Sequence, residues 1–148
     1  MIASATGRCR CGEVTFTVTA PALMSMACHC KGCQKLTGSA YSLSLLYPSS
    51  AFSFDSGETV VGGLHGESRY LMCSKCKSWL TTEPAGLPDF INVRTPLLDE
   101  PPADPPFIEV ATNEGFAWAK TGAPHSYPAD PAEEDFPRLL EEFASRGF

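Results

Sequence analysis

Two close cysteine pairs, Cys9/Cys11 and Cys73/Cys76, constrain this chain more than any other feature. A close pair offers two metal ligands from one turn, and two such pairs complete the four-thiolate tetrahedron of a structural zinc site. A fold that uses all four must bring the start of the first strand against the middle of the chain. Cys73-x-x-Cys76 has zinc-knuckle spacing; Cys9-x-Cys11 is tighter and less specific by itself. The competing reading is that some of these thiols are inert and buried, since free cysteine packs like a small hydrophobe.

The other three cysteines fall within six residues, Cys28-His29-Cys30-Lys31-Gly32-Cys33. Three thiols converge on one ion without closing its tetrahedron, so a zinc held by Cys28, Cys30 and Cys33 keeps an open position, the arrangement of catalytic sites. Three thiolates around a divalent ion leave a net negative charge. Such a site is a weak Lewis acid, better suited to holding a fourth sulfur, a substrate thiol, as a nucleophilic thiolate. Three alternatives stand beside this: His29 as a fourth ligand, Cys30-x-x-Cys33 as a redox dithiol, and a purely structural zinc. The redox motif normally belongs to a βαβ context, which the β-rich pattern here does not supply.

An odd cysteine total fits a fully paired disulfide framework poorly, and close pairs in a reducing compartment point to metal chemistry. Residues 1–7 show no charged start or apolar run of leader length. No stretch of about 18 apolar residues is present to span a bilayer. The expectation is a soluble cytoplasmic protein with no membrane partner.

Charged residues make up only 19%, and 13 prolines and 12 glycines favour short strands and turns, so the fold class expected is mainly β in a single domain, residues 1–148. Alternation at Val14, Phe16 and Val18 marks a strand just after the first cysteine pair. Further strands are expected at 40–47, around Phe52 and Phe54, at 59–63 where Gly62-Gly63 ends the run, at 68–72, from Trp79, at 90–94 and at 107–110. Pro101 to Pro106 reads as an extended connection. One C-terminal helix is expected from about Phe136 to Arg146, capped by Asp135, with Leu139, Leu140 and Phe143 on one face and Gly147 ending it. Phe116 and Trp118 carry apolar bulk for the core or a pocket. Net charge is +2 over residues 1–98 and −8 over residues 99–148, so 121–148 is an acidic C-terminal extension containing the helix. With no basic run, nucleic acid is not an expected partner.

Cys9-x-Cys11-Gly12-x-Val14-x-Phe16, then Cys28-His29-Cys30-x-x-Cys33, then Cys73-x-x-Cys76 resembles the glutathione-dependent formaldehyde-activating enzyme (GFA) family, to which centromere protein V-like proteins are related. Gly38, the run Asn92 to Asp99, Phe107-Ile108 and Trp118 extend the likeness over roughly residues 7–120. Lys77 stands where that family usually has glycine. The resemblance implies several coiled antiparallel β-sheets of β-tent type around a structural zinc on Cys9, Cys11, Cys73 and Cys76. It also implies a second, catalytic zinc on Cys28, Cys30 and Cys33. The implied activity is that of a carbon–sulfur lyase acting on thiol–aldehyde adducts, like S-(hydroxymethyl)glutathione synthase, with glutathione as the thiol and formaldehyde as the aldehyde. His29 is then the nearest titratable candidate for the proton step, and Lys31, Lys35, Arg69 and Arg94 are candidates for the tripeptide carboxylates. A zinc-stabilised binding module without catalysis is the alternative from a different class.

Overall fold

The computed structural model describes residues 4–147, apart from the side chains of Leu64 and His65. Residues 1–3 and 148 of the single-domain expectation lie outside the described residues. Eleven strands run β1 (Ala5–Arg8), β2 (Thr15–Val18), β3 (Met24–Cys28), β4 (Ser42–Pro48), β5 (Phe52–Ser56), β6 (Thr59–His65), β7 (Ser68–Cys73), β8 (Trp79–Glu83), β9 (Phe90–Arg94), β10 (Ile108–Val110) and β11 (His125–Ser126). Helix α1 (Lys31–Thr37) lies between β3 and β4, and α2 (Phe136–Ser145) closes the described chain. The expected mainly β fold with several sheets and a short C-terminal helix is what forms.

The strands make a three-stranded sheet, β1-β2-β5, and an eight-stranded sheet in the order β11-β10-β3-β4-β9-β8-β7-β6. Most pairs are antiparallel, but β10 runs parallel to both β3 and β11. The proline-rich stretch from 101 to 106 lies in the long connection that carries the chain from β9 past β4 and β3 to β10. β3 was not expected as a strand. Its sequence, MSMAC, lacks a polar/apolar alternation because both faces are covered, and Met24, Ser25 and Ala27 are all buried.

Register across the eight-stranded sheet separates two faces. Leu45 pairs with Val93 and Tyr47 with Ile91. These four residues meet Phe16 and Val18 of β2 in the core between the two sheets. The opposite face carries Met24, Met26 and Cys28 of β3, then Ser42, Ser44 and Leu46 of β4, then Asn92 and Arg94 of β9. One end of that face is covered by α2, whose Leu139 and Phe143 pack with Met24, Phe107, Ile108 and Val110. The other end is left to α1 and the three-cysteine stretch. Ser42 and Ser44 are therefore buried, not solvated as simple alternation suggests.

Gly62-Gly63 does not end β6. The strand continues with a bulge between Val61 and Leu64, and glycine is required at position 62, where a Cβ would sit 2.1 Å from Met72 Cγ on the neighbouring strand. α2 starts at Phe136 as expected and Gly147 follows it with φ 72, but Asp135 makes no side-chain capping bond.

Candidate metal and thiol sites

The first cluster forms where two hairpin turns meet. Cys9 and Cys11 occupy the turn between β1 and β2, while Cys73 ends β7 and Cys76 lies in the turn before β8. All four Sγ atoms lie within 4.8 Å of one another, with Cys9–Cys11 at 3.4 Å and Cys11–Cys73 at 3.8 Å. A tetrahedron of sulfurs about 2.3 Å from a central zinc has edges of about 3.8 Å, so these four fit a tetrahedral ion. Backbone amides already point at the sulfurs: Val14 N–H donates to Cys9 Sγ at 3.3 Å and Cys76 N–H to Cys73 Sγ at 3.5 Å. The Ser78 hydroxyl lies 3.1 Å from Cys76 Sγ and holds that thiol well below its ordinary value. Val14 and Leu80 seal the inner side.

The second cluster is built by a strand end and the start of a helix. Cys28 ends β3, Cys30 is the N-cap of α1 and accepts the Cys33 N–H at 3.3 Å, and Cys33 sits in the first turn. The stretch from Gln34 to Gly38, equally a helix turn or a loop from sequence, is helical through Thr37. Gly38 ends it with φ 64, its N–H bonding to Gln34 O at 2.8 Å. The Sγ atoms of Cys28, Cys30 and Cys33 lie within 4.8 Å of one another, and no fourth His, Cys, Asp or Glu among the described residues joins them. Each cluster can hold a metal ion. Hydrogen bonding from Cys28 draws the Cys33 thiol down, with burial working against it and Ser42, Cys30 and Arg94 assisting. Cys28 is pushed up in turn.

Cys30 and Cys33 open onto a cavity of about 570 Å³ whose walls include Lys31, Lys35, Tyr70, Trp79 and Glu114. A larger cavity of about 810 Å³ lies beside it, sharing Leu36 and Trp79 and lined further by Tyr41, Ser42, Arg94 and Trp118. Lys31 and Lys35, two of the carboxylate candidates, thus face the thiol cavity. Arg69 does not: it pairs with Glu83 at 3.2 Å, an exposed cross-strand pair between β7 and β8. Arg94 is buried. Trp118 is 74% exposed and stacks on Phe116, so that pair belongs to a cavity rim and not to the core.

His29 is turned away from the thiols. Its ring is only 2% exposed, its Nε2 lies 2.9 Å from Glu109 Oε2, and it lines neither cavity. Nearness in sequence made it the candidate for proton transfer; flanking ligands on alternate sides of the chain instead send its side chain inward. Its backbone also fastens the loop, through its N–H to Val110 O at 3.0 Å and its carbonyl, which accepts from Gln34 Nε2 at 2.7 Å. Tyr70 and Trp79, which do line the thiol cavity, carried no sequence motif. The one signal for Tyr70 was the Gly62-Gly63 pair on the neighbouring strand, where a Cβ at Gly63 would meet the tyrosine ring at 3.2 Å.

A family model for the glutathione-dependent formaldehyde-activating enzyme matches residues 4–114. The crystal structure of a Rhodobacter sphaeroides protein shares the fold with a TM-score of 0.56 at 16% sequence identity, covering 66% of this chain and 91% of that one. No curated protein matches the chain. No helix among the described residues is long and apolar enough to cross a membrane. Both thiol clusters fall inside the matched residues, in the order and with the spacing described above, and the chain belongs to the glutathione-dependent formaldehyde-activating enzyme family.

Proposed function

We propose that this chain is a zinc-dependent enzyme of carbon–sulfur lyase type that joins a small thiol to an aldehyde and splits the adduct in reverse, with glutathione and formaldehyde as the leading pair. The observation that carries this reading is the three-thiol cluster, Cys28, Cys30 and Cys33, joined by no fourth ligand among the described residues and opening onto a cavity. The closed cluster of Cys9, Cys11, Cys73 and Cys76 is the structural site. Cys28, Cys30 and Cys33 would hold a zinc ion, which would favour the thiolate form of a substrate sulfur.

In the reaction the substrate thiol loses its proton, its sulfur forms a bond to the aldehyde carbon, the carbonyl π pair moves onto oxygen, and that oxygen takes up a proton. No oxidant or reductant is needed. Tyr70 is the donor we assign to the developing alkoxide. Burial raises its phenol above the ordinary value, and the nearby thiols add to the rise, so it keeps its proton. Lys31 and Lys35 supply positive charge for substrate carboxylates at the cavity wall. Leu36 and Trp79 give that wall its apolar side. His29 acts as a positioning residue, holding the Cys28–Cys30 loop through Glu109.

Metal analysis and exchange spectroscopy test the proposal. Two zinc ions per chain are expected, with Cys30→Ser losing one and remaining folded. The protein should speed interconversion of glutathione and its hydroxymethyl adduct, and Tyr70→Phe should slow that exchange while retaining both metals. One zinc per chain, or exchange no faster than in buffer, would sink the enzyme reading.

A further inference from the structure

Arg94 ends β9 on the face of the large sheet that carries the thiols. Register fixes the relationship: Cys28 lies opposite Ser42, and Ser44, two residues along the same face of β4, lies opposite Arg94. The guanidinium carbon of Arg94 is 3.9 Å from the centroid of the Trp79 ring, and Trp79 lines the thiol cavity beside Cys30 and Cys33. Arg94 is only 8% exposed. Its one protein hydrogen bond among the described residues is a long one, 3.5 Å from a terminal nitrogen to Thr82 Oγ1, and its Nε has no partner. Arg8, Arg69, Lys75, Arg138 and Arg146 each pair with a carboxylate; among the described residues no carboxylate pairs with Arg94.

A buried cation left without a countercharge is strongly destabilising, whereas one facing an anion of opposite sign is not. Burial works against the charged form of Arg94, and the fields of Cys33 and Cys28 favour it. Lys31 and Lys35 are exposed, so water and salt screen them in a way that does not apply to Arg94. Three thiolates and one divalent ion leave a single net negative charge, and a fourth thiolate would double it. With Arg94 counted, the site starts neutral and the incoming anion meets no net charge of its own sign.

We propose that Arg94 is the built-in countercharge of the three-thiol site, a positioning residue that makes its open position favour an anionic sulfur over a neutral ligand. This rests on the reading of Cys28, Cys30 and Cys33 as a metal-holding site. It also accounts for the stacking on Trp79: the ring fixes the guanidinium and takes the place of water on one of its faces.

The test uses the full chain loaded with cobalt(II), whose sulfur-to-metal absorption reports the ligands. The signal that Cys30→Ser abolishes is assigned to the three-thiol site, and affinities there are measured for 2-mercaptoethanol and for imidazole. Arg94→Gln is expected to weaken thiol binding on the order of tenfold or more while changing imidazole binding by less than about threefold. Arg94→Lys, which keeps the charge, is expected to stay near the parent. Thr82→Asp, which offers Arg94 an internal carboxylate, should shift the balance in the same direction as glutamine and serves if the glutamine variant does not fold. Unchanged thiol affinity in Arg94→Gln or in Thr82→Asp, equal losses for thiol and imidazole, or an Arg94→Lys protein as weak as the glutamine one would overturn the proposal. Absence of any Cys30-dependent cobalt signal in the parent would remove both this proposal and the metal reading beneath it.

Discussion

His29 Nε2 lies 2.9 Å from Glu109 Oε2, and this contact ties the loop between two thiols to a strand 80 residues further along the chain. Thr121 donates a second hydrogen bond to the same carboxylate oxygen at 2.7 Å. Burial pushes the Glu109 carboxyl up, but the bonds from Thr121 and His29 outweigh it and hold the group below its ordinary 4.5. A carboxyl depressed on folding stabilises the folded state fully above its unfolded value and loses that contribution as pH falls through the folded one. Glu109→Gln should therefore unfold at lower urea than the parent at neutral pH, with the gap narrowing as pH drops below about 4.5. Asp99, held down by Arg8 and Thr6, and Glu142, held down by His125, keep their own acid limbs in both proteins. A gap that does not change between neutral and acid pH would show that Glu109 contributes by shape and not by charge.

Gly115 makes the seat for that histidine. A Cβ there would lie 2.9 Å from His29 Nδ1 and 3.0 Å from its Cβ. The glycine has φ −82, which any residue adopts, so the effect of substitution is steric and not conformational. Gly115→Ala should cost about 1–3 kcal/mol by overpacking. The same change should speed hydrogen exchange at the His29 amide, which bonds to Val110 O. Loss of stability with His29 exchange unchanged would place the strain elsewhere.

Local chemistry was legible in the chain; distant pairing was not. Closely spaced cysteines let one turn bring two or three thiols to one point, so both clusters could be read from spacing. Strands with one wet face, such as β2 with Val14, Phe16 and Val18 nearby, announced themselves by alternation. β3 did not, because both its faces are covered. Arg94 read from sequence as one of four candidates for substrate carboxylates; its burial follows from register with Ser44, which no single stretch of sequence displays. The partnership of His29 with Glu109 depends on the parallel placing of β10 beside β3, a topological fact outside any local pattern. The inward turn of His29 is the consequence that sequence proximity concealed.

Lys77 follows Cys76 with φ 60, in the left-handed region that favours glycine. Its N–H bonds to Cys73 O at 3.0 Å, closing the turn around the first cluster. The turn therefore keeps the geometry expected of a glycine while carrying a side chain that pays a steric cost of about 1–2 kcal/mol. Lys77→Gly should relieve it, offset in part by the freedom glycine gains in the unfolded chain, for a net gain of roughly 0.5–1 kcal/mol. That corresponds to a melting temperature higher by roughly 1–4 °C in a chain of this size. Lys77→Ala, which keeps the Cβ, should show no such gain. Equal melting temperatures for the two variants would show that a Cβ at this position carries no net strain.

The C-terminal helix lies beyond the residues matched by the family model, yet it seals a core that leads directly to the thiols. Phe143 is 1% exposed and its ring centroid lies 5.4 Å from that of Phe107. Phe107, Ile108 and Met24 share that core, and Met24 begins the strand that ends at Cys28. Phe143→Ala should cost about 3–5 kcal/mol, the usual range for a truncated core phenylalanine. Leu140 is only half-buried on the same helix, and Leu140→Ala should cost less than the roughly 2–5 kcal/mol of a fully buried leucine. The effect should reach the site: with β3 loosened, the Phe143 variant should release the metal held by Cys28, Cys30 and Cys33 to a chelator faster than that of the four-cysteine cluster, which rests on the separate core of Val14 and Leu80. Parallel release of both metals, or equal losses in the two variants, would show that α2 supports the fold without supporting the thiol site.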